Sequence, residues 1–121
     1  MFFLYATRIE PSKLVLKKES LYLPNWDAKL DGLKIAVISD LHIGFSNSGI
    51  EKINTIVEKV NNAKPDIIFI LGDLDALSIY NTNSKEQSIE VLSKLKAPLG
   101  VVSVLGNHDA VKLADLIVIA L

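Results

Sequence analysis

The chain has no cysteine. Disulfide staples, thiolate zinc sites and cysteine nucleophiles are therefore excluded, and a reducing compartment is compatible with that absence. Histidine is scarce: His42 and His108 are the only two, so imidazole chemistry has just two positions available. Neither sign of charge is in surplus, with 13 basic and 14 acidic residues giving a net charge of −1. That balance argues against a nucleic-acid surface that works by neutralising phosphates. The one basic cluster, Lys13, Lys17 and Lys18, is flanked by Glu10 and Glu19 and reads as a solvated strand face. Internal repeats and low-complexity tracts are missing too. No apolar run reaches the ~20 residues that a membrane-spanning helix needs, so no transmembrane segment is expected in this chain. Residues 1–6 are apolar but lack the basic and extended hydrophobic regions of a signal peptide. They are read as a first strand, ahead of the alternative that they end a longer anchor. The expected location is cytoplasmic, or membrane-associated if a longer N-terminal anchor exists.

What is present is a chain of 121 residues, 50% hydrophobic and 22% charged, which fits one folded domain over 1–121 and excludes disorder. Leu14, Leu16, Leu21 and Leu23 alternate imperfectly with charged residues and predict an edge strand or hairpin. Pro24-Asn25 and Asp31-Gly32 are turn signals on either side of Trp26. Residues 33–39 are β-rich and almost continuously apolar, as a buried parallel strand should be. Ile50, Ile53, Ile56, Val57 and Val60 recur at helical spacing, with Ser48 as the expected N-cap. Residues 67–71 predict a second buried strand. Ser84-Lys85-Glu86-Gln87 reads as a capping box that opens a helix burying Ile89, Leu92 and Leu95. Residues 101–105 predict a third strand, and a further helix is expected from about Ala110. The order is βαβαβ, which predicts an α/β fold with a parallel sheet, right-handed crossovers and flanking helices. Residues 116–121 form an uncapped apolar run, from which the native chain is expected to be longer and the domain truncated.

Three polar clusters follow the three expected strands: Asp40-Leu41-His42, Gly72-Asp73 and Gly106-Asn107-His108-Asp109. A parallel sheet would bring them to one edge, where open α/β sheets hold their ligands. Carboxylate, imidazole and amide are oxygen and nitrogen donors for hard or borderline divalent metals. Asp40 and His42, one residue apart, would point to the same side of an extended segment. Gly72 permits a sharp exit from the strand and a close approach of a ligand or metal. Asp109 is placed to orient His108, as carboxylates often fix an imidazole. Taken singly, Gly72-Asp73 reads as a plain turn and Asn107 as a left-handed turn residue. Gly-Asn-His-Asp is more specific, since average residue usage gives it by chance in roughly one chain in three thousand of this length.

These motifs resemble those of the calcineurin-like metallophosphoesterases, Asp-x-His, Gly-Asp-x-x-Asp and Gly-Asn-His-Asp/Glu. The segment Leu33 to Gly44, with Ile9-Glu10-Pro11 and the Asp31-Gly32 lead-in, is similar to the branch of bacterial phosphohydrolases that often carry an N-terminal membrane anchor. The resemblance extends to about Asp109. It implies the N-terminal half of a four-layer α/β/β/α sandwich, in which two sheets pack face to face between helices. It also implies two divalent metal ions (manganese, iron or zinc) and hydrolysis of a phosphomonoester or phosphodiester substrate whose identity is open. Asp40 and His42 would bind the first ion, Asp73 would bridge both, Asn107 would bind the second, and catalytic His108 would face the phosphate.

Two departures stand out. Ala76 occupies the position of the family's second acid, with Asp75 one place earlier. The later histidine and the Gly-His-x-His motif, which complete the metal shells in the family, have no counterpart here. The expectation is a metal-dependent phosphoesterase site that is incomplete in this chain and holds one ion or none tightly. The alternative is a non-catalytic remnant with at most weak metal binding. A lone first sheet would expose an apolar face, so self-association is also expected.

Overall fold

The computed structural model describes residues 14–42, 49–74, 82–107 and 109. Contacts divide the chain into two compact units, residues 1–32 and 33–121.

In the first unit, the expected edge strand over Leu14–Leu23 does not form: these residues are irregular and mostly exposed. The alternation there is broken by charge, and Lys17 and Glu19 pair with each other in solvent at 3.0 Å. The expected strand over residues 1–6 lies outside the described residues. The turn signals hold. Asn25 adopts a left-handed φ of 63°, and the Asp27 carboxylate caps a single 3-10 turn, Ala28–Leu30, by accepting from the Lys29 N–H at 2.9 Å. The Trp26 indole N–H donates to the Leu30 carbonyl at 3.3 Å.

The second unit carries the expected βαβαβ order. Strand β1 (Ile35–Ile38), helix α1 (Ile50–Ala63), strand β2 (Ile67–Ile70), helix α2 (Thr82–Leu92) and strand β3 (Val101–Ser103) follow one another. The sheet is parallel throughout in the order β1-β2-β3, with Ile38 opposite Ile70 and Ile70 opposite Ser103. Each apolar run becomes a strand because β-branched side chains fit a pleated, packed surface. Helix α1 buries the stripe that its periodicity predicts, Ile53, Ile56, Val57 and Val60.

Both expected caps differ. Helix α1 starts after Gly49, which makes no side-chain capping bond, and Ser48 lies outside the described residues. Helix α2 begins at Thr82, so the Ser84 motif falls within the helix instead of opening it. Ile89 and Leu92 are buried as expected, and Leu95 is buried just beyond the helix end. The expected helix near Ala110 and the apolar run at 116–121 are outside the described residues.

The two helices lie against each other, and Asn61 ties the end of helix α1 to the segment after helix α2. Its amide N–H donates to the Lys94 carbonyl and its oxygen accepts from the Lys96 N–H, each at 2.9 Å. The core holds Ile38, Ile68 and Ile70 of the sheet with the buried residues of both helices. The opposite sheet face is open: Ile35, Val37 and Val102 are exposed. Strand β1 is therefore buried on one face only, where its near-continuous apolar sequence predicts burial on both. At the N-terminal edge Asp66 locks the strands together. Its carboxylate accepts from the Lys34 N–H at 2.7 Å, its own N–H donates to the Lys34 carbonyl at 2.8 Å, and its carbonyl accepts from the Leu99 N–H at 2.8 Å.

Candidate metal centre

Parallel pairing sets the C-terminal ends of all three strands at one edge, and the three motif loops leave from there. They do not splay apart. The ladder continues past the strands, with the Leu71 N–H donating to Ile38 at 2.9 Å and the Val104 N–H to Ile70 at 2.9 Å. It then enters the motifs themselves: the Asp40 N–H donates to the Gly72 carbonyl at 3.2 Å and the His42 N–H to the Asp73 carbonyl at 3.1 Å. The first two motifs are thus hydrogen-bonded backbone to backbone.

The backbone here is unusual. Asp40, His42 and Asp73 all have left-handed φ angles, 55°, 45° and 51°. Aspartate and histidine tolerate this region better than most residues, yet each such residue costs on the order of 1 kcal/mol or more, and such strain gathers at functional sites. Asp40 and His42 therefore do not meet by the alternation of an extended strand, as the spacing predicts. Each is turned instead by its own left-handed backbone. They still approach, with His42 Nε2 3.8 Å from Asp40 Oδ1, and the Ser39 hydroxyl donates to the other Asp40 oxygen. Both side chains remain open to solvent, so an ion or substrate can reach them.

Gly72, at φ 91°, and Gly106 make the third loop fit. A Cβ on Gly72 would collide with the Gly106 backbone nitrogen, and a Cβ on Gly106 would collide with the Asp73 carboxylate. The close approach that Gly72 allows here is to another loop's backbone. Gly106 leaves the notch in which the Asp73 carboxylate sits. Asn107 stands exposed in the turn after β3. His108 and Asp75 lie outside the described residues.

Sequence reasoning missed what Asp109 does. Its Oδ2 accepts from the Gly106 N–H at 2.7 Å and the Asp73 N–H at 2.9 Å, and its Oδ1 accepts from the Leu74 N–H at 2.9 Å. One carboxylate thus ties the loop after β3 to the loop after β2. Its expected contact with His108 lies outside the described residues. The available signal was an acid three residues beyond a glycine amide in a turn, which the Asp109 N–H closes onto the Gly106 carbonyl at 3.2 Å.

A divalent ion fits the chemistry of this donor set, a carboxylate and an imidazole side by side with a second carboxylate in its notch on the adjoining loop. Among the described residues, however, no three acidic or imidazole side chains are gathered closely enough to enclose an ion.

A parallel α/β unit with metal-type donors on the loops at one strand edge defines the class. Comparison gives the family: the model of the calcineurin-like phosphoesterases matches residues 33–118, and the chain belongs to that family. It is 35% identical over 106 residues to UDP-2,3-diacylglucosamine pyrophosphatase LpxG of Chlamydia muridarum, covering 88% of this chain and 31% of the relative. An uncharacterized metallophosphoesterase of Bacillus subtilis, YkuE, is 31% identical over 106 residues, covering 87% of this chain and 36% of the relative. A zebrafish transmembrane protein with a metallophosphoesterase domain is 36% identical over 80 residues, covering 66% of this chain and 17% of the relative. The chain thus spans no more than 36% of the length of these curated relatives. No solved structure is a significant match. Among the described residues, no helix is long and apolar enough to cross a membrane.

Proposed function

We propose that this chain carries the N-terminal part of a divalent-metal-dependent phosphoesterase site. In this reading Asp40 and His42 hold one ion, Asp73 bridges to a second, Asn107 binds the second, and His108 faces the phosphate. The observation that carries it is the hydrogen-bonded convergence of the three motif loops at one sheet edge, in a chain of this family. Bound ions would supply Lewis-acid polarisation of the phosphoryl oxygens. The chain's own part is placement. The left-handed backbone at Asp40, His42 and Asp73 aims their donors, and the Gly106 notch seats the Asp73 carboxylate. His108 would hand a proton to the departing oxygen or neutralise charge on the transferring group.

Phosphomonoesters and phosphodiesters are the proposed substrate class. The Chlamydia relative is named as a pyrophosphatase, which adds a phosphoanhydride to the compounds worth assaying. A second reading, a remnant with weak metal binding and no turnover, draws on the missing third donor among the described residues. Elemental analysis of the purified chain, with a manganese-supplemented assay on a chromogenic phosphodiester, separates the two. The phosphoesterase reading expects bound metal and a turnover that Asp73→Ala lowers by more than about 100-fold, the upper end of what the groups supporting a metal's ligands contribute. A chain with neither metal nor turnover would leave the remnant.

A further inference from the structure

We infer that Asp109 is a positioning residue for the metal centre, holding the Asp73 carboxylate in place through the backbone of two loops without ligating metal. The inference rests on the metal reading proposed above. Its basis is a geometry that no motif role explains. A carboxylate has four lone-pair directions, and charge-assisted bonds from backbone N–H groups are among the stronger ones available. Asp109 directs at least three of them at main-chain amides: Gly106 and Asp73 on one oxygen, Leu74 on the other.

The placement of those amides gives the arrangement its function. Asp73 is the residue whose carboxylate must be shared between two ions, and it sits at a left-handed φ of 51°. A strained residue persists only where its surroundings over-determine it. Here the restraint comes from both sides. The Asp73 carbonyl is held by the His42 N–H, and the Asp73 and Leu74 N–H groups are held by Asp109. The third amide, that of Gly106, fixes the glycine whose missing Cβ makes room for the Asp73 carboxylate. Asp109 therefore joins, through one side chain, the backbone of the bridging ligand and the floor of the notch that seats it. The same contact keeps Asn107, which lies between Gly106 and Asp109, on a turn anchored at both ends.

The role has a definite signature. Loss of the brace should loosen the ligands more than it loosens the fold. We would compare the full chain with Asp109→Asn, Asp109→Ala and Asp109→Glu. The measurements are manganese affinity by electron paramagnetic resonance titration and amide hydrogen exchange at Asp73, Leu74 and Gly106. Ile53→Val, a core change that removes none of the three Asp109 bonds, serves as a mildly destabilised control. The expected result is a 10- to 100-fold weaker manganese affinity in Asp109→Ala, as for removal of other groups that support metal ligands. Faster exchange should be concentrated at the three amides. Asp109→Asn should fall between, since its single oxygen cannot serve both sides, and Asp109→Glu should recover part of the affinity. Ile53→Val should change neither readout selectively. Unchanged manganese affinity in Asp109→Ala, or exchange raised no more at these amides than across the sheet, would overturn the positioning role and leave the metal reading standing. A wild-type chain that takes up no manganese would instead overturn the metal reading, and this role with it.

Discussion

At the scale of single residues, the site edge is built from conformations that most amino acids avoid. Gly72 combines a left-handed φ with contact against the Gly106 backbone, whereas Gly32 has a left-handed φ of 76° with open space where a Cβ would stand. The two glycines separate backbone strain from collision. Gly32→Ala should cost about 1 kcal/mol for the φ angle alone. Gly72→Ala should cost about 2–3 kcal/mol, because two loops must move apart, and urea unfolding of both variants measures the difference. Asp40 gives the opposite case. Its left-handed backbone favours glycine and its side chain is 63% exposed, so Asp40→Gly should unfold no more easily than wild type and can gain about 1 kcal/mol. Metal uptake should nonetheless be lost in that variant. Stability and ligand placement would then be seen to oppose each other at one position, as they often do in functional sites. A marked loss of stability in Asp40→Gly would contradict that account.

At the scale of elements, burial decides more than capping does. Helix α1 forms where the apolar spacing places it although Gly49 offers it no side-chain cap, and helix α2 runs through its supposed capping motif. A cap contributes about 1 kcal/mol, whereas each fully buried isoleucine contributes roughly 1.5–3 kcal/mol. Ile53, with no exposed surface, should lose about 3 kcal/mol on replacement by alanine. Asn61→Ala removes the two bonds that join the end of helix α1 to the segment after helix α2. Its cost should be smaller, about 1 kcal/mol, because water can replace both partners at the surface. Thermal melts of the two variants rank the effects, and an Asn61→Ala loss equal to that of Ile53→Ala would show that the clamp and not the core holds the helices together. Strands and helices were legible from periodicity for the same reason. Burying an apolar stripe stabilises an element more than any cap does, and the spacing of that stripe is written along the chain.

For the whole molecule, the asymmetry of the sheet matters most. One face is covered by helices. The other presents Ile35, Val37 and Val102 at 48%, 59% and 46% exposure, on strands that pair in register. The described residues supply one helical layer and one sheet of the four layers that the family resemblance implies. Contiguous exposed apolar surface favours contact with other surfaces in solution. We expect the isolated chain to self-associate, with sedimentation velocity showing species larger than the monomer. Val37→Lys combined with Val102→Lys should shift the distribution toward monomer while changing stability little, because both side chains already face solvent. A monodisperse wild-type monomer would contradict the contact-surface reading.

The sequence by itself determined the element order, the parallel α/β class, the helix faces and the three clusters at the strand ends, since each is a matter of local pattern or of the path the chain must take between parallel strands. How the clusters meet depends on the folded sheet. The left-handed turns at Asp40, His42 and Asp73, the collision-free contact of Gly72 with Gly106, and the Asp109 bridge to Asp73 and Leu74 all depend on backbone groups brought together from residues more than thirty positions apart. Backbone amides and carbonyls are chemically alike at almost every position, so no residue pattern announces which of them a distant carboxylate will bind. Fold class follows from side-chain periodicity, and the geometry of this edge follows from main-chain hydrogen bonds that exist only once the sheet has formed.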